Sequence, residues 1–144
     1  MIFFQTKNSK VITLLFSLFI DSLKYKTKYL TIELLLLRLL KTDKKIAKNF
    51  FRILFSYTSY KTIDISSFCA FLETRVITES KKTKSLSTFQ KVQLAPSLRN
   101  FLYLIIVNHN NCAINKYIIL KELMFNSKVH FLLKTFLISY KKSF

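Results

Sequence analysis

The chain has 144 residues, about half of them apolar, with 24 Lys and Arg against 7 Asp and Glu for a formal net charge of +17. That length holds one compact domain or two small ones packed together, and the charge excess calls for a polyanion nearby, because the compact state otherwise repels itself. Glycine is absent, which excludes a phosphate-cradling P-loop or a dinucleotide fingerprint in the usual form, and two cysteines cannot build a disulfide framework.

The first forty residues read as two buried helices, about 10–23 and 29–41, joined by the basic link Lys24-Tyr25-Lys26-Thr27-Lys28. The apolar stretch Val11–Ile20 is too short to span a bilayer and is followed by Asp21 and lysines rather than a small-residue cleavage site. A stretch of that kind is also able to lie in a membrane interface, which keeps a membrane contact as an alternative. Thr42 or Asp43 then caps a third helix. In it Ile46, Phe50, Ile53 and Leu54 recur at helical spacing, while Lys44, Lys48 and Arg52 fall four apart on another face. With no acidic residues interleaved, that stripe repels itself, and a phosphate backbone would relieve it.

Tyr57–Tyr60 reads as a polar connector, and Asp64 or Ser66 opens a fourth helix, Ser67–Thr78, with Phe68, Phe71, Leu72 and Val76 on its buried side. The Lys-, Ser- and Thr-rich stretch Ser80–Gln93 reads as a surface loop. Pro96 suits the first turn of a fifth helix, whose apolar stripe is Leu98, Phe101, Leu102 and Ile105 and whose end falls near Asn108–Asn111. Beyond it the apolar runs shorten. Cys112–Ile114 and Tyr117–Leu120, separated by Asn115-Lys116, are expected to form a hairpin, with Val129–Leu133 as a third strand and Lys134–Phe144 as a helical or frayed basic tail. The expected fold class is mainly α with a small β element (α+β).

Nothing in this pattern points to catalysis. The carboxylates form no acid/base pair, and no Ser, His and Asp set sits in a recognisable turn. His109 and Cys112 lie three apart, but no second ligand pair follows at zinc spacing. The expectation is a non-enzyme with no cofactor, no metal and no small-molecule substrate. The residue choice carries a separate message: Phe occurs 15 times, Lys far outnumbers the four arginines, and Gly and Trp are missing. Those abundant residues have A/T-rich codons, which points to an AT-rich organellar genome, a mitochondrion first and a plastid second.

Four stretches resemble the RNA-binding domain of the fourth small-subunit ribosomal protein. They are Leu37-Arg38-Leu39-Leu40 followed by Lys44-Lys45 and Phe50-Phe51-Arg52; Phe71-Leu72-Glu73-Thr74-Arg75; Leu94-Ala95-Pro96-Ser97; and Val107-Asn108-His109 with Ile114-Asn115 and Ile118. The match covers roughly residues 37–120. It departs from the family at Ile77, where an Asp is usual, at Lys116, where a glycine follows the hairpin Asn, and at Arg99, which is out of register. With the helices and tail read above, the expected organisation is a helical N-terminal part over 1–60, a helix-loop-helix plus β-hairpin RNA-binding domain over 61–133 that the resemblance implies, and a basic tail over 134–144. It implies a structural constituent of an organellar ribosomal small subunit, bound to rRNA and neighbouring ribosomal proteins. RNA of that kind is read by shape and phosphate contacts. Lys44, Lys45, Lys48, Arg52, Arg75, Lys81, Lys82, Lys84, Arg99 and Lys116 would then face phosphates, and Asn108, His109 and Asn115 would touch sugar or phosphate or close the turns. The arginines carry particular weight, because their planar fork binds phosphate bidentately and Lys does not.

A second resemblance belongs to a different class. Lys82-Thr83-Lys84-Ser85-Leu86-Ser87 and Ala95-Pro96-Ser97-Leu98-Arg99-Asn100-Phe101-Leu102 are similar to the stalk-connecting delta subunit of ATP synthase, which implies an all-helical bundle with an Asn-Phe-Leu helix. It accounts for the first helices better than the ribosomal resemblance does, but leaves the charge and Leu72–Arg75 unexplained. A third reading is a membrane-associated subunit of a respiratory complex. The readings differ in what they require. RNA binding needs clustered lysines and a hairpin at Tyr117–Leu120, the delta resemblance needs six helices and no sheet, and the membrane reading needs apolar surface left uncovered on the first two helices.

Overall fold

The computed structural model describes residues 9–55, 65–82, 93–109 and 114–142. Among them are seven helices, α1 (Ser9–Tyr25), α2 (Ile32–Thr42), α3 (Lys44–Phe55), α4 (Ile65–Lys82), α5 (Pro96–Asn108), α6 (Lys116–Met124) and α7 (Ser127–Lys142). Two short strands, β1 (Tyr29–Leu30) and β2 (Gln93–Leu94), pair in parallel. The molecule is mainly α with a small β element.

In a chain without glycine, side chains with a short oxygen arm set the helix starts. The Thr31 hydroxyl accepts from Leu34 N at 3.2 Å at the head of α2. Asp43 closes α2 and opens α3 at once: its amide donates to Leu39 O, and its carboxylate accepts from Lys45 N and Ile46 N at 3.0 and 3.2 Å. Asn115 does the same work for α6 through Ile118 N at 2.9 Å, and Asn126 for α7 through Lys128 N and Val129 N. Pro96 takes the first turn of α5. The end of α1 needs a left-handed residue, and Lys26 supplies it with φ 55°. Its amide reaches Leu23 O, and the Thr27 amide reaches Ser22 O at 3.0 Å, which closes a Schellman motif.

α2 is the centre of the molecule. Eight of its residues are buried, Ile32 to Leu37 with Leu39 and Leu40, and a helix apolar on every side belongs inside a bundle. It packs against α1, α3, α4, α6 and α7. One continuous core therefore takes residues from both halves of the chain, from Leu15 and Leu18 on α1 to Phe136 on α7. An aromatic cluster ties α3, α4 and α7 together, with Phe51 and Phe136 edge-on to Phe68 at 5.4 and 5.1 Å between ring centres. Such pairs add about 0.5–1.5 kcal/mol each beyond the area they bury.

Three sequence expectations need correction. The hairpin at 112–120 is not formed: Cys112 lies outside the described residues, and Tyr117–Leu120 belongs to α6. Val129–Leu133 is helical as well, inside α7, with Val129, Leu132, Leu133 and Phe136 buried at three- and four-residue steps. The β element lies elsewhere. Tyr29–Leu30, expected in a helix, pairs with Gln93–Leu94 at the end of the expected loop, through Gln93 N to Lys28 O and Ala95 N to Leu30 O. The pairing pins the start of α5 beside the start of α2. The connector Tyr57–Tyr60, the boundary between residues 60 and 61, and most of the loop before Gln93 lie outside the described residues. The expected tail from Lys134 continues α7 as far as Lys142.

Candidate functional site

α3 shows how the sequence separates core from surface. Ile46, Ala47, Phe50 and Phe51 are buried, while Lys44, Lys45, Lys48 and Arg52 are exposed. Lys44, Lys48 and Arg52 stand at i, i+4 and i+8, a rise of about 6 Å per step. None of the four cations is ion-paired among the described residues. Lys44 and Lys45 occupy the first turn of α3, which carries no acidic residue, so their charge opposes the positive end of the helix dipole. α6 packs beside α3, and its exposed Lys116 and Tyr117 line the same cavity as Thr42, two residues before Lys44. That cavity, about 650 Å³, opens between α1, α2 and α6, and Leu14, Leu39 and Ile119 give it a mainly apolar wall.

Other expected contact residues are engaged inside the fold. The Arg75 guanidinium lies 5.8 Å from the Phe71 ring centre and 5.9 Å from that of Phe131, and its buried Nε has no hydrogen-bond partner among the described residues. His109 caps the end of α5, and its Nε2 stands 3.3 Å from a Glu122 carboxylate oxygen on α6. Asn115 is the α6 cap. Arg38 donates to Asp21 at 3.0 Å across α1 and α2. Lys81, Arg99 and Asn108 are exposed on α4 and α5, separate from the α3 row in the chain and in element. Lys84 and the side chain of Lys82 lie outside the described residues.

Two polar clusters escaped the sequence reading, because their partners are far apart in the chain and carry no motif. Lys41 donates to Glu73 at 3.0 Å, joining α2 to α4. That hydrogen bond raises the Lys41 pKa and lowers the Glu73 pKa, and burial pushes up the phenol of Tyr25 beside them. Glu33, 5 % exposed in the first turn of α2, has a carboxylate oxygen 3.5 Å from the Lys128 ammonium. The contact is an ion pair without hydrogen-bond geometry, since the same oxygen accepts no hydrogen bond from the described residues.

Apolar side chains also reach the surface in rows. Phe16, Ile20 and Leu23 on α1 are more than half exposed at i, i+4 and i+7, and Tyr103, Leu104 and Val107 form a second set on α5. Rows of this kind mark contact surfaces when they are contiguous. Among the described residues, no helix is long and apolar enough to cross a membrane, and no three His, Cys, Asp or Glu side chains are grouped to hold a metal ion. Comparison with known proteins adds no relative: no protein-family model, no curated protein and no solved structure matches this chain.

Proposed function

We propose that the chain is a non-catalytic helical-bundle subunit of an organellar ATP synthase, of the stalk-connecting delta type. The observation that carries this reading is the helical state of Tyr117–Leu120. The ribosomal resemblance requires a hairpin there, whereas the delta resemblance requires a bundle, and α6 packs into one with α2, α3 and α7. Of the two stretches similar to the delta family, Ala95–Leu102 opens α5 and places Leu98, Phe101 and Leu102 in the core. The exposed apolar rows on α1 and α5 are suitable surfaces for partner subunits. The short β1–β2 pair and the seventh helix are departures from the simple six-helix expectation. Function under this reading is mechanical: the bundle holds neighbouring subunits in place and carries no chemical step.

One observation favours a second reading. The row Lys44, Lys48 and Arg52, without an ion pair among the described residues, in a chain of net charge +17, is the electrostatic footprint of a protein that neutralises phosphates, as a constituent of an organellar ribosomal small subunit bound to rRNA would be. Native electrophoresis of detergent-solubilised source organelles, with the chain detected before and after ribonuclease, separates the two. Migration with the ATP synthase band, unchanged by ribonuclease, is expected. Migration with a ribosomal subunit that is lost on digestion would overturn the first reading in favour of the second.

A further inference from the structure

The cavity between α1, α2 and α6, about 650 Å³, has the size of a small-molecule site. Leu39 and Ile119 are core residues and form its floor, Leu14 adds an apolar side, and the ring of Tyr117, more than half exposed, stands at its edge. Most of its polar side chains are turned to the backbone. The Ser17 hydroxyl donates to Leu14 O and the Thr42 hydroxyl to Arg38 O, each at 2.7 Å, and Asn115 Oδ1 accepts from Ile118 N as the α6 cap. Few donors are left for a sugar or a nucleotide.

The charge at the cavity comes to one uncompensated unit. Of the two cations that line it, Arg38 already meets Asp21 at 3.0 Å. Lys116 is exposed and has no ion pair among the described residues. No carboxylate stands among the described residues that line the cavity. Lys116 is also the first residue of α6, whose first turn carries no acidic residue, so the helix dipole adds to its positive field.

We infer that this cavity binds a monoanionic amphiphile of the fatty-acid class, its alkyl chain over Leu14, Leu39 and Ile119 and its carboxylate at the Lys116 ammonium. The apolar floor calls for an alkyl body, and one free cation calls for one negative charge. Inorganic phosphate has the charge alone, and an alkyl alcohol has the chain alone. The ligand is held without any chemical step. The inference goes beyond the subunit assignment and does not depend on it.

The test titrates the full chain with dodecanoate below its micelle concentration, read by calorimetry and by methyl NMR. Shifts should fall on the methyls of Leu14, Leu39 and Ile119. Affinity should rise roughly fourfold for each methylene added from hexanoate upward until the cavity is filled. Dodecanol to the native chain, and dodecanoate to Lys116→Gln, should each bind about fivefold more weakly, the loss of one modest ion pair. Lys81→Gln removes the same charge from α4 and should change binding less than about twofold. Ser17→Phe fills the cavity from α1 and should weaken binding by about tenfold or more, the equivalent of two displaced methylenes. Shifts confined to the exposed apolar rows of α1 and α5 would overturn the inference, and so would the absence of saturable binding. Equal losses in Lys116→Gln and Lys81→Gln would overturn it too, because binding would then follow net charge alone. Circular dichroism and melting establish that each variant keeps the bundle, and the methyl shifts of the unaltered chain locate the ligand even where Ser17→Phe does not fold.

Discussion

Arg75 on α4 lies over the ring of Phe131 on α7, guanidinium to ring centre 5.9 Å, with Phe71 at 5.8 Å completing the contact. The arrangement makes Arg75 a structural link between two helices, whereas the ribosomal resemblance over Phe71–Arg75 implies a phosphate contact. Contacts of this kind contribute about 0.5–2 kcal/mol according to how dry they are. Arg75→Ala should therefore destabilise the bundle by about 1–2 kcal/mol in urea unfolding, since it also removes the packed stem. Arg75→Lys should recover little of that, because an ammonium does not stack. The salt dependence of any RNA binding should stay the same in Arg75→Ala. A slope reduced by about one unit would restore Arg75 as a phosphate contact.

Lys26 is the residue that a glycine would normally replace. Its φ of 55° at the end of α1 costs a side chain with a Cβ about 1 kcal/mol, and the Schellman hydrogen bonds from Lys26 N and Thr27 N hold it there. Lys26→Gly should raise stability by about 0.5–1 kcal/mol, somewhat offset by the freer unfolded chain. Lys26→Ala should give no gain, since alanine keeps the Cβ. If Ala and Gly behave alike in thermal melts, the strain is absent and the end of α1 frays in solution.

Most of the helices were legible because their apolar positions recur at three- and four-residue steps. Phe68, Leu72 and Val76 on α4 and Leu98, Phe101, Leu102 and Ile105 on α5 are the buried positions that the spacing indicates. The hairpin failed for a physical reason centred on Asn115. An Asn whose side-chain oxygen accepts a nearby backbone N–H can serve a turn or cap a helix, and the local chemistry is the same in both. Here Asn115 accepts from Ile118 N and starts α6. Short apolar runs of four or five residues carry too little period to choose between strand and helix. The β1–β2 pair was illegible because it joins residues 64 positions apart, Leu30 to Leu94, through two residues on each side. On the surface, the α3 row was readable from i, i+4 spacing, but the withdrawal of Arg38, Arg75 and His109 into contacts with Asp21, the two rings and Glu122 depended on tertiary packing.

The Lys41–Glu73 pair with Tyr25 sets a pH window. The Glu73 pKa is lowered by the hydrogen bond from Lys41, so its contribution is present above the unfolded carboxylate value of about 4.3 and is lost as pH falls through the lower folded value. Lys41 is raised by the hydrogen bond to Glu73; its contribution is complete below about 10.4 and is lost as pH rises through the folded value. Tyr25 is raised chiefly by burial, so the neutral phenol favours the fold until alkaline pH forces ionisation. Stability from this cluster should form a plateau between about pH 5 and 9. Both partners of the pair are more than a third exposed, so Glu73→Gln should cost less than about 1 kcal/mol at pH 7. It should also flatten the acid limb of the unfolding profile. An unchanged acid limb in Glu73→Gln would mean that solvent screens the pair fully.

Lys44 stands against the dipole of its own helix. It occupies the first turn of α3, where a cation is disfavoured by the helix dipole, and it faces Lys48 one turn on. Lys44→Glu reverses both effects: the new carboxylate favours the dipole and makes a Glu-to-Lys pair at i, i+4 in the better orientation. The gain should be about 1 kcal/mol, which for a chain of this size is a rise of roughly 2–4 °C in Tm. Thermal melting of Lys44→Glu beside the wild-type chain checks this: a higher Tm supports the dipole account, and a Tm that falls would show that the Lys44 charge already stabilises the helix where it stands.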